Sequence, residues 1–268
     1  MDLLLDAGNT RLKWGLWGAA GWHGQGAIAL AALDELAGVL AAAGPVRRVL
    51  GANVAGAEVA ARLAGLLAAR SLEPEWIRPV ESAFGVHNRY LDPSRLGADR
   101  WAALIGARAL HGAAALVVTS GTATTADVLD GAGVFQGGVI LPGLDLMRSS
   151  LARDTAQLPL ADGRFEPLPR RTVDAIVSGC LHAQLGAQRH HRGVDLGQRG
   201  RAVLGRVALA EHVQVYAVQH KKSHEGLAFD WLTGLLPQSC LKSAPRFWRQ
   251  ALPCPKAKLC IALSKKHL

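Results

Sequence analysis

Two stretches of this 268-residue chain follow one pattern. LLLDAGNTRLKW (3–14) and LVVTSGTATTAD (116–127) each run an aliphatic strand into a glycine turn with amide or hydroxyl neighbours, then into a second strand. Aligned, Asp6 falls on Thr119, Gly8 on Gly121 and Asn9 on Thr122. Strand pairs and helix-period stretches alternate through both parts of the chain. The repeat therefore predicts an α/β protein of two similar halves, each built on a mixed sheet.

The rest of the chain fits that scheme. ALAALDELAGVLAAAG (29–44) reads as a helix with Leu30, Leu33, Leu36 and Leu40 on one face and Gly44 closing it. RRVLGANV (47–54) reads as a strand, AEVAARLAGLLAARS (57–71) as a helix and EWIRPV (75–80) as a strand. LGADRWAALIGARALHG (96–112) is a helix whose first turn holds Asp99, and AALVVTSG (114–121) the next strand. GVFQGGVILPG (133–143) supplies another strand and turn before the helices at 144–155 and 172–191.

Half of the residues are apolar and 19% are charged, the balance of a folded globular chain. The apolar runs break well short of the ~18 residues of a membrane helix. Met1-Asp2 carries no basic segment ahead of its aliphatic run, so no signal peptide is expected. Cys180, Cys240, Cys254 and Cys260 show no CxxC spacing, which argues against zinc and against a disulfide framework. A reducing, cytoplasmic setting is the expectation.

The net charge of +9 is unevenly spread. Residues 1–198 hold 18 basic and 18 acidic side chains, whereas 199–268 hold 12 and 3. Only Lys13 precedes residue 199 and seven lysines follow it. A basic tail can bind nucleic acid. Here the seven tryptophans do not alternate with basic residues as a base-stacking face requires, so nucleic acid is not expected as a partner.

Chemistry concentrates in the turns. Backbone amides of a glycine turn can surround phosphate oxygens, and small polar side chains add donors without crowding. Gly8, Asn9, Thr10 and Lys13 offer one such set, and Gly121, Thr122, Thr124 and Thr125 another. A plain hairpin explains either turn alone; two at matching places, one behind an aspartate, point to phosphate. Neither GxxxxGK[ST] nor GxGxxG occurs. Phosphoryl transfer also needs a carboxylate for the attacking hydroxyl, and Asp99 at a helix start is the candidate. Its plainer explanation is an acid favoured by the helix dipole. Asn88, Tyr90 and Arg100 crowd the same segment. His190 and His191 have no carboxylate at ligand spacing and read as surface residues.

These residues resemble the type III pantothenate kinases, the family that includes the Bvg accessory factors. The likeness rests on DAGNTRLKWGLW (6–17), GVHNRYLDPSRLGADRWAALIGA (85–107), SGTATTADVL (120–129), GGVILPGLDLMRSSLARDTAQLP (137–159) and TVDAIVSG (172–179). It implies the sugar kinase, actin and heat-shock chaperone fold: two ribonuclease-H-like halves with mixed sheets flanking a nucleotide cleft. The halves would be 1–112 and 113–198, with 199–268 as an atypical tail. The implied activity is ATP-dependent phosphorylation of pantothenate. Asp6 would lie near Mg²⁺ and the γ-phosphate, with Gly8, Asn9, Thr10 and Lys13 on the phosphates. Gly121 and Thr122 would form the second phosphate turn. Asp99 would be the base, and Asn88, Tyr90, Gly97, Ala98 and Arg100 would bind pantothenate. Asp127 would hold a monovalent cation, K⁺ or NH₄⁺. Thr172 would reach the pantothenate site of a partner subunit, implying a homodimer.

Two departures stand out. The family's second phosphate turn opens with Asp where this chain has Thr119. The family's C-terminal LTGGDA-type segment is reduced to a fragment in WLTGLLPQ (231–238). A shifted reading frame and a divergent tail both explain the second. An inactive regulator working through partners is the alternative function.

Overall fold

The aliphatic run behind Met1 becomes the centre of the first sheet. A computed structural model of the chain describes residues 1–192 and 214–219. Within them are two compact units, Met1–Gly112 and the part from Ala113 onward.

In the first unit β1 (Asp2–Ala7) is buried at all six positions. It pairs antiparallel with β2 (Arg11–Gly18), and β2 in turn with β3 (Gly21–Ala29). On its other side β4 (Arg48–Asn53) runs parallel, followed by β5 (Pro74–Trp76). Parallel neighbours need crossovers, which α1 (Glu35–Ala42) and α2 (Ala57–Ala68) supply. Leu36 and Leu40 of α1 and Leu63 and Leu67 of α2 bury with Leu3, Leu5, Ala7 and Leu12. At ~1.5–3 kcal/mol for each fully buried leucine, this face outweighs the marginal stability of helices so short. Strand alternation puts Leu4 and Asp6 on the opposite face from Leu3 and Leu5. That is how a carboxylate ends a buried strand without entering the aliphatic core.

A short hairpin, β6 (Ser82–Ala83) and β7 (Val86–Asn88), turns at Phe84 and Gly85, both at positive φ (53° and 76°). After it comes α3 (Ala98–His111), buried from Arg100 through Ala107 and closed by Gly112 in the left-handed region.

The second unit carries β8 (Ala115–Ser120), β9 (Ala123–Leu129) and β10 (Val134–Pro142), all antiparallel, with β11 (Gln214–Gln219) parallel to β8. Its order β10-β9-β8-β11 reproduces the β3-β2-β1-β4 order of the first unit. The repeat read in the sequence is thus a repeat of topology. Leu116, Val118, Ala126 and Val128 form its core beneath Val139. Two helices follow, α4 (Leu144–Asp154) and α5 (Thr172–Arg192). The segment joining them is strapped to α5. Asp174 accepts from the Arg164 N–H at 2.8 Å and Ser178 from the Glu166 N–H at 3.0 Å.

Some elements differ from the sequence expectation. The helix expected over 29–44 is a 3₁₀ turn at Leu30–Ala32 followed by the shorter α1, although Leu33, Leu36 and Leu40 are still buried. The strand expected over 75–80 stops at Trp76, before Pro79, which has no N–H to donate. The strand β3 and the hairpin β6–β7 are additional. Apart from β11, the basic segment 199–268 lies outside the described residues, and with it Cys240, Cys254, Cys260 and the WLTGLLPQ fragment. No helix among the described residues is long and apolar enough to cross a membrane.

Candidate active site

The first turn is a tight hairpin end. The Gly8 N–H donates to the Arg11 carbonyl at 3.1 Å, and the Leu30 N–H to the Thr10 carbonyl at 3.3 Å. With the backbone so tied, Asn9 and Thr10 stay exposed while Ala7 behind them is fully buried. Asp6 and Lys13 face each other across β1 and β2, and Lys13 Nζ lies 2.7 Å from Asp6 Oδ2.

The second group gathers around the start of α3. Gly97 is its N-cap residue, Ala98 is buried, and Asp99 sits half-buried in the first turn. The Arg100 N–H donates to Asp99 Oδ1 at 2.8 Å, fixing the carboxylate against the helix end. Arg100 is only 4% exposed, and its guanidinium donates to the Tyr90 hydroxyl at 2.7 Å, its carbon 5.5 Å from the ring centroid. Asn88 is buried too, and its amide is spent on the loop: it donates to the Pro93 carbonyl and accepts from the Tyr90 N–H, both at 3.1 Å. Asn88 thus holds the loop that presents Tyr90. Asn88→Ala is expected to cost about 1–3 kcal/mol of stability, the penalty for orphaning buried polar groups. A melting curve of the variant measures it, and a melting temperature equal to the parent's would show that the loop does not depend on Asn88.

In the second unit the Gly121 N–H donates to the Ala123 carbonyl at 2.9 Å, and Thr122 stands exposed at the tip. The Gly143 N–H donates to the Thr122 carbonyl at 2.8 Å, so the turn is braced by the residue that precedes α4. A β-carbon on Gly143 would run into the Gly121 and Thr122 carbonyl oxygens. Thr119 pairs with Thr125 across β8 and β9, which with Asp127 two residues on puts all three on one face. The hydroxyls of Thr119 and Thr125 are buried without a hydrogen-bond partner among the described residues. Asp127 is 1% exposed, and its carboxylate occupies the space where a Gly138 side chain would begin. Thr172 is exposed at the start of α5.

Gly138 and Gly143 carry structural roles here that the motifs alone did not assign. Their signal was present as the GG and PG of GGVILPG, glycines inside and just after a strand, where close backbone approach is the usual reason. Cys180 offers no rival nucleophile: burial pushes its thiol up, only partly opposed by the charge of Arg148.

Comparison with known proteins gives this arrangement its context. The family model of the type III pantothenate kinases matches residues 2–191. A type III pantothenate kinase of Aromatoleum aromaticum is 56% identical over 187 residues, 70% of this chain and 77% of its own length. One from Laribacter hongkongensis is 44% identical over 226 residues, covering 80% of this chain and 91% of its own. Among solved structures, a candidate Baf family transcriptional activator from Campylobacter jejuni matches with TM-score 0.50 at 16% identity, over 91% of this chain and 99% of that one. A candidate 2-dehydro-3-deoxygalactonokinase from Sinorhizobium meliloti matches with TM-score 0.52 at 13% identity, over 92% and 99%. At such identities the structures speak for the fold alone, the mixed α/β fold of the sugar kinases and actin. The sequence relatives speak for more, and on a family match across residues 2–191 this chain belongs to the type III pantothenate kinases.

Proposed function

We propose that this chain transfers the γ-phosphoryl group of ATP to the primary hydroxyl of pantothenate, giving 4′-phosphopantothenate, the first step toward coenzyme A. The observation that carries the reading is the Asp99–Arg100–Tyr90 group at the start of α3, inside the family-matched region. The kinase names of its relatives favour an enzyme over a regulatory accessory protein.

In this reading Asp99 takes the proton of the pantothenate hydroxyl as its oxygen attacks the γ-phosphorus and the bond to the ADP oxygen breaks. The Arg100 N–H holds one carboxylate oxygen, so the base meets the hydroxyl in a fixed orientation. The buried Arg100 guanidinium, with the Tyr90 hydroxyl, suits the polar groups of pantothenate. Gly97 and Ala98 shape the backbone there. Gly8, Asn9 and Thr10 in residues 1–112, and Gly121 and Thr122 in residues 113–198, receive phosphate oxygens through amides and small side chains.

Asp6 would give Mg²⁺ one oxygen ligand. Bound there, the ion would supply charge neutralisation at the transferring group. For a monovalent cation, K⁺ or NH₄⁺, the orphaned hydroxyls of Thr119 and Thr125 beside Asp127 are oxygen donors of the right kind. A homodimer is supported by the segment ahead of Thr172, where Leu160, Phe165 and Leu168 are all exposed and apolar. ATP as donor suits a cytoplasmic enzyme.

The deciding experiment is ATP turnover by the purified chain with Mg²⁺ and K⁺, with and without pantothenate. ADP release that depends on pantothenate, with 4′-phosphopantothenate as product, is the expected result. No pantothenate-dependent turnover would return the chain to the regulatory reading.

A further inference from the structure

The Asp6 carboxylate is 5% exposed at the end of a wholly buried strand. A lone charge so placed is costly, and Lys13 answers it at 2.7 Å. The strand register dictates the pairing, since Asp6 and Lys13 are direct partners across β1 and β2. Among the described residues, no three His, Cys, Asp or Glu side chains converge on a point where a metal ion could sit. A divalent ion seeks about six oxygens. Arriving bare at Asp6, it would meet a single carboxylate whose charge is already neutralised.

We infer that Lys13 is a resident counter-ion of Asp6: it keeps bare divalent cations out, and it moves to phosphate when a metal–nucleotide complex arrives, freeing the carboxylate for the ion. The inference rests on the Gly8–Thr10 turn being a phosphate turn. Phosphate oxygens then supply both missing parts, an anion for the ammonium and ligands for the metal. An ammonium on a four-carbon stem can make that move without the backbone following. Metal therefore enters with the nucleotide and not before it.

Mn²⁺ titration followed by electron paramagnetic resonance tests this on the full chain, together with thermal unfolding in metal-free buffer. The parent should bind free Mn²⁺ weakly and Mn²⁺–ATP well. Lys13→Met should bind free Mn²⁺ at least about fivefold more tightly, the least that one unit charge ~4 Å away is worth in water. Without metal it should also melt several degrees below the parent, and added Mn²⁺ should restore part of the difference. If Lys13→Met does not fold, Lys13→Gln, which removes the charge but keeps a donor for Asp6, is read in the same titration. Free Mn²⁺ affinity equal to the parent's, with Mn²⁺–ATP binding intact, overturns the counter-ion role and leaves the phosphate turn standing. A parent that does not bind Mn²⁺–ATP overturns both.

Discussion

Asp99→Asn is expected to lower kcat for pantothenate phosphorylation by at least ~10²-fold, the usual scale for removing a general base. The substitution is nearly isosteric. An asparagine oxygen can still accept the Arg100 N–H now held by Asp99 Oδ1, so the start of α3 should survive. The competing explanation, an acid placed to suit the helix dipole, has a different signature. It allows about 0.3–1 kcal/mol of lost stability and no loss of rate. Steady-state turnover and a melting curve on the same preparation separate the two. Parent-like turnover with a lowered melting temperature would make Asp99 a helix-end acid and nothing more.

Gly143→Ala is expected to raise the KM for ATP by about tenfold or more while leaving the KM for pantothenate near its parent value. The backbone at Gly143 has φ −66° and ψ 166°, extended values open to any residue, so alanine meets no conformational penalty there. Only space is at issue. The new methyl would collide with the Gly121 and Thr122 carbonyls and push away the turn that the Gly143 N–H now braces. Misplacing reacting groups by ~1 Å costs on the order of 10²-fold, so about tenfold is the lower end for a displaced phosphate turn. ATP and pantothenate titrations of the variant provide the measurement. Unchanged ATP kinetics would mean that the Gly121–Thr122 turn does not touch the nucleotide.

The parts of this fold that were legible in the sequence are those whose residues carry their own signal. The unbroken run Leu3–Leu5 marks a strand buried on both faces, and Leu36, Leu40, Leu63 and Leu67 mark helix faces by spacing alone. The strand β3 has no such signal. Its sequence GWHGQGAIA neither alternates nor favours extension, and it is held by its partner. Trp22 packs edge-on against Trp17 at 4.9 Å, and the Trp14 ring lies over Gly24 and Gly26. The β6–β7 hairpin was hidden for another reason: its turn puts Phe84, an unusual residue at positive φ, beside Gly85. At the candidate site, Asp99 and Arg100 were visible by their charged side chains, and the two turns by a glycine next to small polar residues. Gly138 and Gly143 act by lacking one, against residues at least 11 positions away, as Gly138 does against Asp127. Spacing rules that look three or four residues ahead do not reach that far.

β1 is hydrogen-bonded on both edges and hidden at every position. Its amides therefore belong to the most protected class, exchanging with deuterium only when the whole unit opens. Asp6 is welded to that strand, whereas Tyr90 sits on a loop, residues 89–95, that is mostly exposed. The two ends of the chemistry should consequently fail separately on heating. Pantothenate recognition would fade first through local opening, and the carboxylate of the phosphate turn would keep its place until the unit itself melts.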